Sequence, residues 1–336
     1  MNLKQLADQL NLSISTVSKA LRDSHEISEA TKKIVRAKAK ELNYQVNPFA
    51  SSLRKQKSKT IAVIIPEVVN AFFGPAINGI ESIAQEKGYH VLIYLTHEDM
   101  KKEISITNLL QNGRVDGILM SVSAQTKDIT HLEALKEKEI PLVFFDRVID
   151  ILSVPKVITD DYASAFKATQ HLIESGCKRI SFLALSQSLS ISSKRMNGCL
   201  DALKKNNLPV DNNLFITLNE DSTANKETIR KLLKRKNRPD GIFASIELFA
   251  LDTYEVCEEL KLDIPRDVKV ICFSNLHTAG LLKPSMTTIT QPAFEMGKEA
   301  AAILFKLVEK KGHHFLLERT VINSTLVERN STKKIK

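Results

Sequence analysis

Ser13, Ile14, Ser15, Thr16, Ser18 and Lys19 place hydroxyls, an ammonium and an apolar group within seven residues. At one end of a short helix such a set can hydrogen-bond base edges, touch a thymine methyl and grip phosphates. A second set is dispersed: Asn70, Phe72 and Phe73, then Asp146 with Arg147, Asp160, Arg195, Ser274 with Asn275, and Gln291. An aromatic platform with a carboxylate and an arginine is what a sugar or similar polar small molecule requires. Catalytic chemistry is not expected. There is no G-x-S-x-G, Walker loop or H-E-x-x-H, and no nucleophile–base pair is recognisable. His313-His314 is the sole histidine pair, and adjacent histidines on a loop make a poor metal site, so neither metal nor cofactor is expected.

The first set needs a helix to carry it. Leu3, Leu6, Ala7 and Leu10 recur at helical spacing, and Asn11-Leu12-Ser13 breaks the pattern. Ser13 can cap a second helix in which Val17, Ala20 and Leu21 face inward while Ile14, Ser15, Ser18 and Lys19 face out. Ser28 caps a third, with Ile34, Val35, Ala39 and Leu42 as its covering face. Two short helices joined by three or four residues describe a helix-turn-helix, whose second helix enters the major groove by its N-terminal end. Spacing alone equally permits an ordinary three-helix bundle. Charge separates the two. Residues 1–60 hold 12 Lys and Arg against 5 Asp and Glu, whereas the other 276 hold 36 against 34. A basic end on a nearly balanced body is the footprint of phosphate neutralisation.

Asn47-Pro48 is an N-cap with proline at the first helical position. The segment to Arg54 is too short to be helical alone in water, so it is expected to fold only when docked on a partner.

Three stretches carry a family resemblance: Leu12-Ser13-Ile14-Ser15-Thr16-Val17-Ser18-Lys19-Ala20-Leu21, Ile27-Ser28-Glu29-Ala30-Thr31, and Leu42-Asn43-Tyr44-Gln45-Val46-Asn47-Pro48-Phe49-Ala50-Ser51-Ser52-Leu53-Arg54. Together they resemble the head of the lactose/galactose-repressor (LacI/GalR) family. The resemblance implies that Ile14, Ser15 and Lys19 stand at base-reading positions, and that Thr16, Ser18 and Asn47 contact phosphate. Ser13, Ala50 and Arg54 complete the implied DNA-binding set. It also implies a dimer whose paired hinge helices enter the minor groove, with Leu53 wedging the central step; core packing under the hinge is the other reading of Leu53. Lys19 can donate to guanine but lacks the bidentate fork of arginine.

From Thr60 the sequence alternates apolar strands with amphipathic helices. Strands are expected at 61–65, 90–95, 117–120, 142–145, 179–183, 214–217, 241–244 and 268–273, and helices at 73–87, 163–174, 194–205, 226–236 and 247–260. Such alternation means parallel sheets covered by helices, and eight or more units exceed one comfortable sheet. The resemblance continues through Arg114-Val115-Asp116-Gly117-Ile118, Arg195-Met196-Asn197-Gly198, Asp240-Gly241-Ile242-Phe243-Ala244, Ile264-Pro265-Arg266-Asp267-Val268 and Gln291-Pro292-Ala293-Phe294-Glu295-Met296-Gly297. It implies a two-lobed α/β body like that of periplasmic binding proteins, crossed three times, near 160–163, 289–292 and 320–325. The expected organisation is a head at 1–45, a hinge and linker at 46–59, an effector-binding and dimerisation body at 60–330, and a basic tail at 331–336. One lobe takes 60–160 and 291–322, the other 161–290 and 323–330.

Ligands of open α/β sheets gather beyond the carboxyl ends of strands, which is where Asn70, Phe72, Phe73, Asp146, Asp160, Ser274 and Gln291 fall. Arg195, expected to open a helix, matches the arginine that commonly fixes the effector in the family. Taken singly, Arg195 could be a helix-end salt bridge and Asp146 a cap. Two departures stand out: Ile246-Glu247 replaces the usual Asn-Asp, and Cys272-Phe273-Ser274 replaces a Gly-Phe-Asp turn. A ligand hydroxyl against Ile246 would lack a partner, at roughly 1–3 kcal/mol, so galactose and similar ligands are expected to bind poorly.

The start of the chain reads as an amphipathic helix rather than a signal peptide, and no run of 18 apolar residues occurs. Cys177, Cys199, Cys257 and Cys272 are far apart, as expected of buried thiols in a reducing cytoplasm. The expectation is a cytoplasmic, dimeric, palindrome-binding repressor controlled by a sugar-like effector, without membrane partners. A solute-binding module sharing the body fold is the alternative.

Overall fold

The computed structural model describes residues 2–44, 58–185, 189–219, 221–309 and 318–334. The chain divides into two compact units, 1–58 and 59–336.

The first unit is three helices: α1 (Leu3–Leu10), α2 (Ile14–Leu21) and α3 (Glu29–Glu41). Each begins on a side-chain cap. Asn2 accepts from the Gln5 N–H while the Gln5 side chain accepts from the Asn2 N–H, a reciprocal box that satisfies two orphan donors. Ser13 and Ser28 accept from the N–H groups of Thr16 and Thr31. Asn11 ends α1 at φ 52°, the left-handed conformation that asparagine tolerates best after glycine. The helices enclose Leu6, Ala7, Val17, Ala20, Val35 and Ala39. Ile34 is not part of that core: it is 58% exposed. The inward stripe of α3 runs Val35, Ala39, Leu42, and the residue one step before it turns away.

The second unit contains two six-stranded sheets. In chain order its elements are β1 (Thr60–Ile65), α4 (Phe73–Glu86), β2 (His90–Leu95), α5 (Met100–Leu110), β3 (Gly117–Met120), α6 (Thr130–Glu137), β4 (Leu142–Phe145), β5 (Lys156–Thr159), α7 (Asp161–Glu174), β6 (Ile180–Ala184), α8 (Ser190–Lys205), β7 (Phe215–Thr217), α9 (Ser222–Leu233), β8 (Gly241–Ala244), α10 (Glu247–Glu259), β9 (Lys269–Phe273), β10 (Thr287–Thr290), α11 (Ala293–Glu309), β11 (Arg319–Ile322) and β12 (Thr325–Val327). The first sheet has strand order β11-β5-β4-β3-β1-β2, all parallel. The second has order β12-β10-β9-β8-β6-β7, parallel except for the antiparallel β10–β12 edge. The chain passes between sheets after β5, after β10 and between β11 and β12.

Parallel sheets covered on both faces demand strands apolar throughout rather than alternating. Accordingly β1, β3, β4, β6 and β8 are buried at every position. One core lies where α4 and α11 cover the first sheet and another where α7 and α8 cover the second, while a third runs continuously across both sheets. Helices α4 and α11 touch backbone to backbone: a Cβ on Gly297 would lie 2.0 Å from the Ala76 carbonyl oxygen, and one on Gly79 would lie 2.1 Å from that of Phe294.

Several elements differ from the sequence expectation. Strands β5, β10, β11 and β12 and helices α5, α6 and α11 were not foreseen. The four strands have only three or four residues each, and Thr287-Thr288-Ile289-Thr290 lacks the apolar run that marked the others. Ser331 and Thr332, assigned to a tail, are buried. The Ser331 hydroxyl donates to the Val270 carbonyl at 2.6 Å and accepts from the Thr287 N–H at 2.8 Å.

Candidate nucleic-acid interface and ligand cleft

On the head, capping and burial orient α2. With Val17 and Ala20 fully buried, the opposite face must meet solvent, and Ile14 and Ser15 are exposed there. Ile14, at 43% exposure, offers an apolar surface to whatever meets the N-terminal end of α2. Ser13 and Thr16 share a hydroxyl hydrogen bond of 2.8 Å, so both serve the cap while keeping lone pairs outward. Ser18 accepts from Arg22 through both its hydroxyl and its carbonyl. Lys19 forms an ion pair with Glu26, which holds the Glu26 carboxyl below its ordinary range. Asn47, Ala50, Leu53 and Arg54 lie outside the described residues.

In the body, a cavity is bounded by strand ends of both sheets: Asn70, Phe72, Asp146, Arg147, Ile191, Arg195, Ser245, Ile246, Glu247, Phe273, Ser274, Asn275 and Gln291. Of the side chains expected from sequence, Asn70, Phe72, Asp146, Arg147, Arg195, Ile246, Ser274, Asn275 and Gln291 therefore line one space. Phe73 does not. It begins α4 buried against Phe145, ring centroids 6.5 Å apart, and its neighbour Phe72 takes the lining position. Asp160 does not either: its carboxylate accepts from the Ser324 N–H at 2.7 Å and the Ser164 hydroxyl at 3.0 Å. It ties two inter-sheet passages together instead of facing a ligand.

Buried polar groups must be paired, and here the pairing is dense. Arg195 lies in the second turn of α8, not at its start. Its Nε donates to Asp161 at 2.7 Å and its Nη1 to the Ser245 carbonyl at 2.7 Å, with the guanidinium 3.7 Å above the Phe273 ring. Burial pushes the Asp161 carboxyl up, against the pull of Arg195. Arg147 donates to Glu98 at 2.5 Å. Among the described residues, Arg195 Nη2 and Arg147 Nε have no acceptor though they are buried. Burial likewise pushes the Glu67 carboxyl up, against the pull of Arg147 and reinforced by Glu98 and Glu247.

Besides the Ser190 hydroxyl on the Val148 carbonyl and Lys194 beside Asp150, contacts at the cavity itself span the cleft. Gln291, after β10, donates its Nε2 to Asp146, after β4, at 3.2 Å. Glu247, the first residue of α10, accepts from the Ala71 N–H at 2.7 Å and from the Ser274 hydroxyl at 2.8 Å. Sequence reasoning noted Glu247 only as a departure and did not place it in the site. Its position directly after a strand end was the available signal. Ile191, Ser245 and Phe273 were also missed; each supplies wall rather than a foreseeable charge. The space left for the centre of a water molecule is about 20 Å³, room for roughly one.

The thiols take no part. Cys177, Cys199 and Cys257 are pushed up to about 12 by burial, and Cys272 is buried with its thiol also pushed well up. Among the described residues no three His, Cys, Asp or Glu side chains cluster as a metal site, and no helix is long and apolar enough to cross a membrane.

Residues 2–47 match the family described as bacterial regulatory proteins, lacI family, and residues 58–331 match periplasmic binding proteins and sugar binding domain of LacI family. The chain is 28% identical to catabolite control protein A of Priestia megaterium, over 93% of each protein. It is also 28% identical to the HTH-type transcriptional repressor CytR of Escherichia coli (strain K12), over 99% of this chain and 96% of that one. Among solved structures, the lac repressor dimer bound to operator and the anti-inducer ONPF superposes with a TM-score of 0.84 over 99% of both chains at 20% identity, a likeness of fold.

Proposed function

We propose how this chain, which belongs to the LacI family of bacterial regulatory proteins, couples a small molecule to DNA. As a member it is a helix-turn-helix transcriptional regulator with an effector-binding body. The match of residues 2–47 to the regulatory head sets aside the alternative of a solute-binding module without regulatory role. What remains to be assigned is how its own residues do the work.

The carrying observation is α2, capped by Ser13, buried along Val17 and Ala20, and open along Ile14, Ser15 and Lys19. A helix presented in this way can insert its N-terminal end in the major groove. In our reading Ile14, Ser15 and Lys19 face base edges, whereas Ser13, Thr16 and Ser18 fix register on phosphates. Asn47, Ala50, Leu53 and Arg54 extend the contact through the hinge, with Leu53 as the minor-groove wedge. The protein acts as a homodimer repressor on a palindrome. Edge strand β2 supports this by exposing Leu92 and Ile93, an unpaired apolar edge of the kind that proteins normally cover. Acting on chromosomal DNA, it works in the cytoplasm and joins the nucleoid when bound.

The effector is a sugar-like polar metabolite held between strand ends by Asn70, Phe72, Asp146, Arg195, Ser274 and Gln291, with Ile246 as a wall. Carbohydrate use is the pathway class this implies. Because the cavity leaves room for about one water, a sugar-sized ligand requires the two sheets to part, and it must displace Glu247 from the Ala71 N–H. A ligand shifts such an equilibrium only by its differential affinity for the two arrangements, so displacement of Glu247 is where that difference arises. Selection from a random DNA pool with the full chain tests the reading. Enrichment of a two-fold-symmetric site with a deformable centre is expected; absence of any enriched site across salt concentrations and with candidate sugars present overturns it.

A further inference from the structure

The geometry points to Glu26 as a second specificity-determining residue of the head, one that works by positioning Lys19. This rests on α2 being the reading helix. Lys19 occupies the last turn of α2, and Glu26 lies in the loop before α3. That loop is a folded structure. Asp23 sits at φ 59° with its N–H donating to the Ala20 carbonyl, the Ser24 N–H donates to the Lys19 carbonyl at 3.0 Å, and Ile27 packs against the head core. The Glu26 N–H reaches the Ser24 hydroxyl at 3.4 Å. Glu26 is therefore carried at a set place beside the Lys19 ammonium, and the two side chains form an ion pair while staying 43% and 52% exposed.

A carboxylate beside a DNA-reading lysine is unfavourable on charge alone. Phosphates repel it, and it cancels a cation in a unit whose affinity depends on cations. Its presence is explained by discrimination. A lysine on a four-carbon stem is a flexible point charge able to settle on any nearby phosphate or acceptor edge. Tied to Glu26, its ammonium keeps one direction and spends part of its charge internally, so that unspecific phosphate contact is weakened. In the major groove the pair also presents a donor beside an acceptor, matching guanine O6 or N7 and the cytosine N4 amine. Replacing that pair with A·T removes the amine from its place and leaves the carboxylate facing an acceptor or a methyl.

The test uses the full chain with Glu26→Gln, Glu26→Asp, Lys19→Ala and the double Lys19→Ala/Glu26→Gln variant. Each is taken through random-pool selection and salt titration on one selected site and one unrelated duplex. Glu26→Gln is expected to bind unrelated DNA more tightly, with a salt slope steeper by about one phosphate contact. It is also expected to lose about fivefold or more discrimination at the same base pair that Lys19→Ala relaxes. Glu26→Asp should retain part of the preference, and the double variant should lose preference at the base pair that Lys19→Ala relaxes and at no other. If Glu26→Gln tightens binding to every sequence equally with the preferred site unchanged, Glu26 is only an electrostatic brake and the proposal is overturned. Loss of preference at a position that Lys19→Ala does not touch overturns it as well. Should Lys19→Ala itself leave preference unchanged, the assignment of α2 as the reading helix falls, and the proposal with it. Both side chains are half-exposed, so unfolding is not expected to intervene, and thermal melting of each variant checks this.

Discussion

The head and the cleft place their chemistry on opposite sides of the folding problem. In the head, Ile14, Ser15 and Lys19 are at the surface, and Lys19 has one exposed partner. In the cleft, Arg195, Arg147, Asp146, Ser274 and Gln291 are buried, and each is bonded to another protein group: Arg195 to Asp161, Arg147 to Glu98, Ser274 to Glu247, and Gln291 to Asp146. A surface side chain can be exchanged at little cost to stability, because water satisfies what the exchange exposes. A buried charged group cannot, since its partner is then left charged and dry. Function in the head is thus separable from folding. In the cleft most of these side chains are tied within their own lobe, Gln291 joins the two lobes through Asp146, and the same side chains are the ones proposed to meet the ligand.

The largest expected effect tests this contrast directly. Arg195→Ala strands Asp161 and removes the donor to Ser245, so unfolding free energy should fall by about 3–5 kcal/mol, read by urea denaturation. An unfolding midpoint left within error would mean that the Arg195–Asp161 pair carries no structural weight and that the two regions do not differ as described.

Glu247→Ala comes next. It removes two hydrogen bonds to a carboxylate, one of which spans the cleft, and such bonds contribute about 1.5–3 kcal/mol each at most. The closed arrangement should lose part of that, giving a larger radius of gyration in X-ray scattering and easier access for ligand. A scattering profile that stays identical would show that the remaining links, Gln291–Asp146, Ser190–Val148 and Lys194–Asp150 among them, suffice to close the cleft. Lys19→Ala is the matched control from the head. Its stability should move by no more than about 0.5 kcal/mol, whereas base discrimination shifts by about 1–3 kcal/mol, measured on a panel of single-base operator variants.

The same contrast governs what could be read from the sequence. The head was legible because its signals are local: caps at Ser13 and Ser28, helical spacing of Leu3, Leu6 and Ala7, and a concentration of basic residues. Only Ile34 misled, one position off a stripe that periodicity cannot resolve to a single residue. In the body the buried strands announced themselves by continuous apolar runs such as Thr60–Ile65. The short strand Thr287–Thr290 did not, since its place is set by pairing with β9 and β12. Strand ends indicated where the cleft would lie. Which of two adjacent phenylalanines faces it, whether Asp160 turns toward ligand or toward Ser324, and that Glu247 reaches Ala71 are settled by contacts far apart in sequence. No local pattern encodes those.

The smallest predicted effect sharpens the comparison because its sign differs between the regions. In the head, hydrogen bonds and charge from Lys32, then Arg36, hold the Asp23 carboxyl below its ordinary value of 3.8, and Lys19 does the same to Glu26. A depressed carboxyl contributes stability that is fully present above its unfolded value and is lost as pH falls through its folded one. In the cleft, burial raises the Asp161 carboxyl above 3.8. Folding there favours the proton, so this group weakens the fold as pH rises from the ordinary carboxylate range through the raised value. Acid should therefore loosen α1–α3 while partly relieving the cost of burying Asp161. Native-state hydrogen exchange between pH 6 and pH 3.5, corrected for intrinsic rates, reads the two units separately. The head amides are expected to lose protection first, and Asp23→Asn should flatten their pH dependence without altering that of α7 and α8. If both units lose protection in step and Asp23→Asn changes neither, then the exposed pairs of the head do no more for its stability than water would.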